Sequence, residues 1–167
     1  AAAGFPDGFS TTFYTPVGRY TMDRQVAEAI QAQLADVGIR ASIQAPEFGA
    51  LQDLLRVNTQ VPMFLMGKGS PSGDLDLSMN MSMRTGTPFN HFNYSSERVD
   101  ALIDEQASIV DLERRYEVLA ELQRQIYEDY PVIVLFYEDQ LIAMRSGVQG
   151  VEIFPDEVIG FGRARID

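Results

Sequence analysis

Residues Asp23 to Gln44, DRQVAEAIQAQLADVGIRASIQ, contain a change of period that decides the fold class. From Asp23 to Val37 the apolar positions Val26, Ala29, Ile30, Leu34 and Val37 recur at spacings of three and four, which lays one apolar stripe along a helix. Gly38 follows, where a helix commonly ends in a left-handed residue, and Thr21 or Asp23 can cap the start. Ile39, Ala41, Ile43 and Ala45 then alternate with Arg40, Ser42 and Gln44, the mark of a half-buried strand, and Pro46 ends it. A helix passing through one glycine into a strand predicts an α/β unit.

The neighbouring stretches extend that unit. Upstream, Phe9 to Tyr14 (FSTTFY) is rich in β-formers between the Pro6-Asp7-Gly8 turn and Thr15-Pro16, and reads as a strand. Downstream, Phe48, Leu51, Leu54 and Leu55 predict a short helix over Glu47 to Arg56, and Val61 to Met66 (VPMFLM) reads as a buried strand. Gly67 to Thr87 has no sustained period, so a long loop is expected, with a helical turn around Leu75 to Met83; loops of this length are usually functional.

A helical pair follows, capped by Ser96 and Asp111 and carrying Val99, Leu102 and Ile103 on one helix and Leu112, Tyr116, Leu119, Leu122 and Ile126 on the other. Pro131 closes the second helix. Val132 to Tyr137 and Leu141 to Arg145, around Glu138-Asp139-Gln140, predict a hairpin. Gly147 to Asp167 is expected to hold a strand and an extended segment.

The 167 residues suit one domain of ordinary size. Thirteen Lys and Arg against 24 Asp and Glu give a net charge of −11, which argues against nucleic acid, whose binding needs a basic face. Without cysteine there is no disulfide or thiolate metal site, and one histidine, His91, excludes His-rich metal clusters; no metal and no cofactor are expected. No apolar run approaches the roughly 20 residues of a membrane span. The start, Ala1 to Phe5, lacks the basic end and hydrophobic stretch of a signal peptide, which leaves localisation open.

Few residues invite chemistry. Asp74 and Asp76 can ligate Ca²⁺, hold an amine, or act as turn residues bonding their own backbone. His91, within PFNHFNYSS, is either a general base or a hydrogen-bonded loop histidine. GKGSPSGD places Lys68 before Gly69, which is not the order of a phosphate-binding loop, so nucleotide hydrolysis is rejected. Met63, Met66, Met79, Met81 and Met83 either line an adaptable ligand surface or fill core gaps.

Several strings together resemble the C-terminal part of the family 5 extracellular solute-binding proteins of ABC importers, the dipeptide, oligopeptide, nickel and glutathione group. AAAGFPDGF is similar to the family's entry into the second lobe. DRQVAEAIQAQLADVGIRASIQ is similar to its helix, glycine and strand. MFLMGKGSPSGDLD is similar to a strand and loop written G-W-G-x-x-x-G-D-x-D, FNYSSERVDALIDEQ to an Asn-Tyr-Ser segment, and RRYEVLAELQRQIYEDYPVIVLFY to a helix and strand. The order and spacing of these strings cover nearly the whole chain.

The resemblance implies a type II periplasmic-binding-protein-like second lobe, a mixed sheet flanked by helices and truncated at its N-terminal side. Residues 1–146 would belong to that lobe, and 147–167 would lead back toward the first. It implies a non-catalytic protein, periplasmic or extracellular and lipid-anchored through an N-terminal segment, that captures a small peptide-like or other polar solute for a membrane permease. Lys68, Gly69, Ser70, Ser72, Asp74 and Asp76 would face the solute, with Asn90, His91, Phe92 and Asn93 as further candidates. Peptide-binding members carry Trp and an amine-pairing Asp where this chain has Lys68 and Pro71, and the SPSGDLD string is nearer to glutathione-type members. Lys68 then faces an anionic group or solvent. The alternatives are a hydrolase using Asp74, Asp76 or His91, and an interaction domain that binds no ligand.

Overall fold

The structure, a computed structural model, describes residues 4–57, 61–70, 72–139, 141–154 and 158–167. The chain divides into two compact units, Ala1–Lys68 and Gly69–Asp167.

In the first unit β1 (Phe9–Tyr14) and β2 (Ile39–Gln44) run parallel, in register from Phe9 opposite Ile39 to Tyr14 opposite Gln44. Parallel neighbours cannot be joined by a tight turn, and α1 (Asp23–Asp36) is the crossover. The face that packs is turned from the expected stripe: Ala27 is buried against Phe13 and Ala41 with Ile30, Leu34, Ile43, Met63 and Leu65 around them, while Ala29 and Val37 are exposed. The helix start differs from the expected cap. Met22 stands there at φ 55 without a side-chain cap, and the buried Asp23 carboxylate reaches back instead. It accepts from the backbone N–H groups of Arg19 (3.0 Å), Tyr20 (3.3 Å) and Arg24 (2.8 Å).

Gly38 ends α1 at φ +85, as its position predicts. Its carbonyl accepts from Phe9 N at 3.1 Å and would lie 1.8 Å from a Cβ placed on Gly8, so the entry to the strand pair needs glycine there. α2 (Phe48–Val57) buries Leu51 and Leu55. The strand expected at Val61 to Met66 is reduced to a single bridge, Tyr14 opposite Phe64. Tyr14 N donates to Met63 O at 2.9 Å and Leu65 N to Tyr14 O at 2.8 Å. Pro62, without an N–H, cannot extend the ladder.

The second unit contains α3 (Leu75–Ser82), α4 (Glu97–Ala107) and α5 (Leu112–Asp129). Ser96 and Asp111 cap α4 and α5 as expected, accepting from Val99 N (3.4 Å) and Arg114 N (2.8 Å). Between the helices Val99, Leu102, Ile103, Val118, Leu119 and Leu122 form the core with Met83. Each fully buried aliphatic side chain contributes roughly 1.5–3 kcal/mol. Tyr130, left-handed at φ 50, stops α5 before Pro131.

The hairpin expected from Val132 to Arg145 is not formed by the described residues; Gln140 of its turn lies outside them. Ile133 is 83% exposed and Tyr137 94%. A continuous apolar strand needs cover on both faces. The tail instead forms two antiparallel pairs. β3 (Val148–Gln149) pairs with β6 (Arg165–Ile166), and β4 (Glu152–Ile153) with β5 (Ile159–Gly160). Among the described residues no helix is long and apolar enough to cross a membrane.

Candidate functional site

In the first unit, three chain segments meet beyond the carboxyl ends of the parallel strands. Arg19 and Tyr20 follow β1, Phe48 follows β2, and Gly67 follows the Phe64 bridge. The Tyr20 and Phe48 rings meet edge to face at 6.2 Å, and a Cβ on Gly67 would stand 2.7 Å from the Tyr20 ring. Arg19 lies over both aromatics, its Cζ 5.0 Å from the Tyr20 centroid and 5.3 Å from that of Phe48. Among the described residues no carboxylate pairs with its guanidinium. The rings and the Asp23 contacts to the loop backbone hold the fork in place. Its N–H donors can take a planar anion such as a carboxylate in two parallel hydrogen bonds.

The sequence reading missed Arg19, Tyr20 and Phe48. The signal available was positional: open α/β sheets place ligands outside the carboxyl ends of their strands, so the residues directly after each strand are the ones to inspect. Lys68, which that reading did single out, is the last residue of this unit, and desolvation by burial lowers its pKa.

In the second unit, the structure gives the two acidic residues other partners. Asp74 takes the Arg115 guanidinium in a fork, at 2.8 Å and 2.7 Å, and caps α3 by accepting from Asp76 N at 2.8 Å. The Asp76 carboxylate accepts from the buried amide of Gln106 and from Asn80 Nδ2 at 3.0 Å. Asn80 accepts in turn from Arg84 Nε at 3.0 Å, and Arg84 pairs with Asp104 at 2.5 Å. The hydrogen bond from Arg115, reinforced by the Asp76 N–H, holds the Asp74 carboxyl at about 2, well below the usual carboxylate range. A carboxylate that acidic is a poor general base near neutrality.

The remaining candidates in this unit fall into two loops. Ser70 Oγ donates to Asp74 O at 2.7 Å and Ser72 Oγ to the same oxygen at 3.3 Å. Gly69 O accepts from Ser78 Oγ at 3.4 Å, while Pro71 lies outside the described residues. An open depression of about 500 Å³ is lined by Ser72, Asp74, Asp76, Leu77 and Arg115 among others. In the second loop Asn90 bonds Arg84 O (3.0 Å), Tyr94 O (2.7 Å) and Tyr94 N (3.1 Å). Asn93 is left-handed at φ 52, His91 lies edge to face with Phe89 at 6.2 Å, and Phe92 packs on the helical core. Desolvation, with the Asp129 hydrogen bond, pushes the Tyr94 hydroxyl up to about 12.

Residues 1–90 match the family described as bacterial extracellular solute-binding proteins, family 5 middle. The glutathione-binding protein GsiB of Salmonella typhi is 29% identical over 170 residues, covering 97% of this chain and 33% of that protein. This chain therefore spans about a third of the length of the curated relatives it matches. The ABC transporter-associated periplasmic binding protein DppA of Helicobacter pylori, solved with the peptide STSA, superposes with a TM-score of 0.67 at 27% identity. The match covers 78% of this chain and 26% of DppA. A dipeptide binding protein from a Pseudoalteromonas species, solved with Met-Leu, superposes with a TM-score of 0.81 at 19% identity, over all of this chain and 34% of that one. The fold is thus that of the type II periplasmic binding proteins, and these relatives are binding proteins rather than enzymes. The chain belongs to the bacterial extracellular solute-binding proteins, family 5.

Proposed function

We propose that this chain belongs to the solute-binding component of an ABC importer, which captures a small peptide-like or other polar solute between two lobes and delivers it to a membrane permease. The observation that carries the reading is the Arg19 fork, stacked on two aromatic rings and without a carboxylate partner among the described residues, beyond the ends of parallel strands. That is chemistry for gripping an anionic group of a solute. In this reading residues 1–146 belong to the second lobe of a larger, periplasmic or extracellular, lipid-anchored protein, and 147–167 lead back toward the first lobe. The relatives' names, glutathione for GsiB and peptides for the solved proteins, supply the solutes to try first.

Lys68 and the main chain and hydroxyls of Gly69, Ser70 and Ser72 are proposed as solute contacts, with His91, Phe92 and Asn93 as further candidates. Asp74, Asp76 and Asn90 are proposed to act by shaping their loops. The test is calorimetric titration of the chain with glutathione and with Met-Leu, beside Arg19→Ala. Binding of either solute, weakened at least about tenfold by Arg19→Ala, is the expected outcome; a tenfold loss corresponds to about 1.4 kcal/mol. Equal affinity in the variant would remove Arg19 from the site. Turnover of either solute that disappears in Asp74→Ala would establish the hydrolase alternative instead.

A further inference from the structure

The main-chain carbonyl of Asp74 gathers the Ser70 and Ser72 hydroxyls, and the carboxylate of the same residue is held from α3 and α5. Gly73 N donates to Ser70 O at 3.1 Å, and Ser70 Oγ to Asp74 O at 2.7 Å. Asp74 is gripped across 41 residues of sequence by both terminal nitrogens of Arg115 on α5. Arg115 is steered in turn by Gln106 of α4, only 1% exposed, whose Oε1 accepts from Arg115 Nε at 3.0 Å. The Gln106 amide nitrogen donates to Ile103 O at 3.1 Å and to the Asp76 carboxylate, so the glutamine has one available orientation. All three nitrogens of the guanidinium are engaged in one plane.

We infer that Arg115, oriented by Gln106, is a positioning residue. It sets the shape of the Ser72–Asp76 segment through Asp74 and does not itself meet the solute. The inference rests on the proposed reading only in assigning that loop to solute contact; the control of loop shape stands on the geometry alone. A fork is required, because the ammonium of lysine cannot present parallel donors to both carboxylate oxygens while a third donor meets Gln106. Among the described residues the charged group facing Asp74 is Arg115 from α5, which the acidic Asp76 of α3 also favours in its charged form, and the main-chain N–H of Asp76 adds a hydrogen bond to the Asp74 carboxylate.

Amide hydrogen exchange on the 167-residue chain, with Arg115→Lys and Arg115→Gln beside the wild type, tests this. The amides of Gly73, Asp74 and Asp76 are expected to exchange about tenfold faster in both variants, while those of Val118, Leu119 and Leu122 stay within about twofold. In the wild type the protection of the three loop amides, relative to the core amides, falls as pH drops from about 4 toward 2, and in the variants this step moves to higher pH. Equal acceleration of the core amides, an unchanged loop, or full rescue by lysine would each overturn the inference. Titration with glutathione separates the two claims. If the wild type binds it and the loosened variants bind it equally well, the loop is not serving the solute and the assignment falls. If no chain binds it, exchange alone decides the role of Arg115.

Discussion

Arg19 in the first unit and Arg115 in the second are two arginines in opposite circumstances, and the contrast separates residues that hold a fold from residues free to hold something else. Arg115 is 17% exposed, forked onto Asp74 and bonded to Gln106, so its donors are directed inward. Arg19 is exposed, rests on Tyr20 and Phe48, and has no carboxylate partner among the described residues. The acidic pair that stands out most in the sequence belongs to the first kind. A conspicuous charge is often conspicuous because the fold needs it, and a ligand group is better sought where a held side chain has unused donors.

That contrast can be broken or sharpened by measurement. The largest effect sets the scale for the helical core: Leu102→Ala, at a fully buried position between α4 and α5, should cost about 2–5 kcal/mol in urea denaturation. A smaller loss would mean that the unit collapses around the missing side chain more readily than its packing suggests.

Asp74→Asn probes the closed side. The folded carboxyl sits at about 2 against an ordinary value of 3.8, so its contribution is present above the unfolded pKa and is lost as pH falls from about 4 through 2. Because Asp74 is 43% exposed, solvent screening reduces that contribution to about 1 kcal/mol. Wild-type stability should therefore fall across that window more steeply than the variant's. Parallel slopes would show that the fork adds nothing measurable.

Ser96→Ala, which removes the cap of α4, should cost about 1 kcal/mol at any pH between 5 and 8. Arg19→Ala should change stability least, by about 0.5 kcal/mol, the scale of an exposed cation–π contact. A loss of several kcal/mol there would place Arg19 with Arg115 as a structural residue and erase the contrast.

The legible parts of the fold were those written in local period and local caps. β1, α1 and β2 follow from spacings within Phe9 to Gln44, and α4 and α5 follow from Ser96, Asp111 and their apolar stripes. The Val61–Met66 strand and the Val132–Arg145 hairpin misled because an apolar run states a need for cover without saying what supplies it, and Pro62 interrupts the first of them. At the candidate site, the loop from Lys68 to Asp76 was visible as a break in period. The Arg115 fork was not, since its partners stand 41 residues apart. Arg19 was hidden differently: its setting arises only when the ends of separate strands are brought side by side.

The contact between Gly8 and the Gly38 carbonyl lies at the amino end of the strand pair, about six strand residues, or roughly 20 Å, from the Arg19 end. A single methyl group at position 8 would wedge the sheet open at its foot. Such a wedge would act like a shim under one leg of a table, tilting a distant surface without touching it. A residue with no side chain thus becomes a lever on where the far loops come to rest.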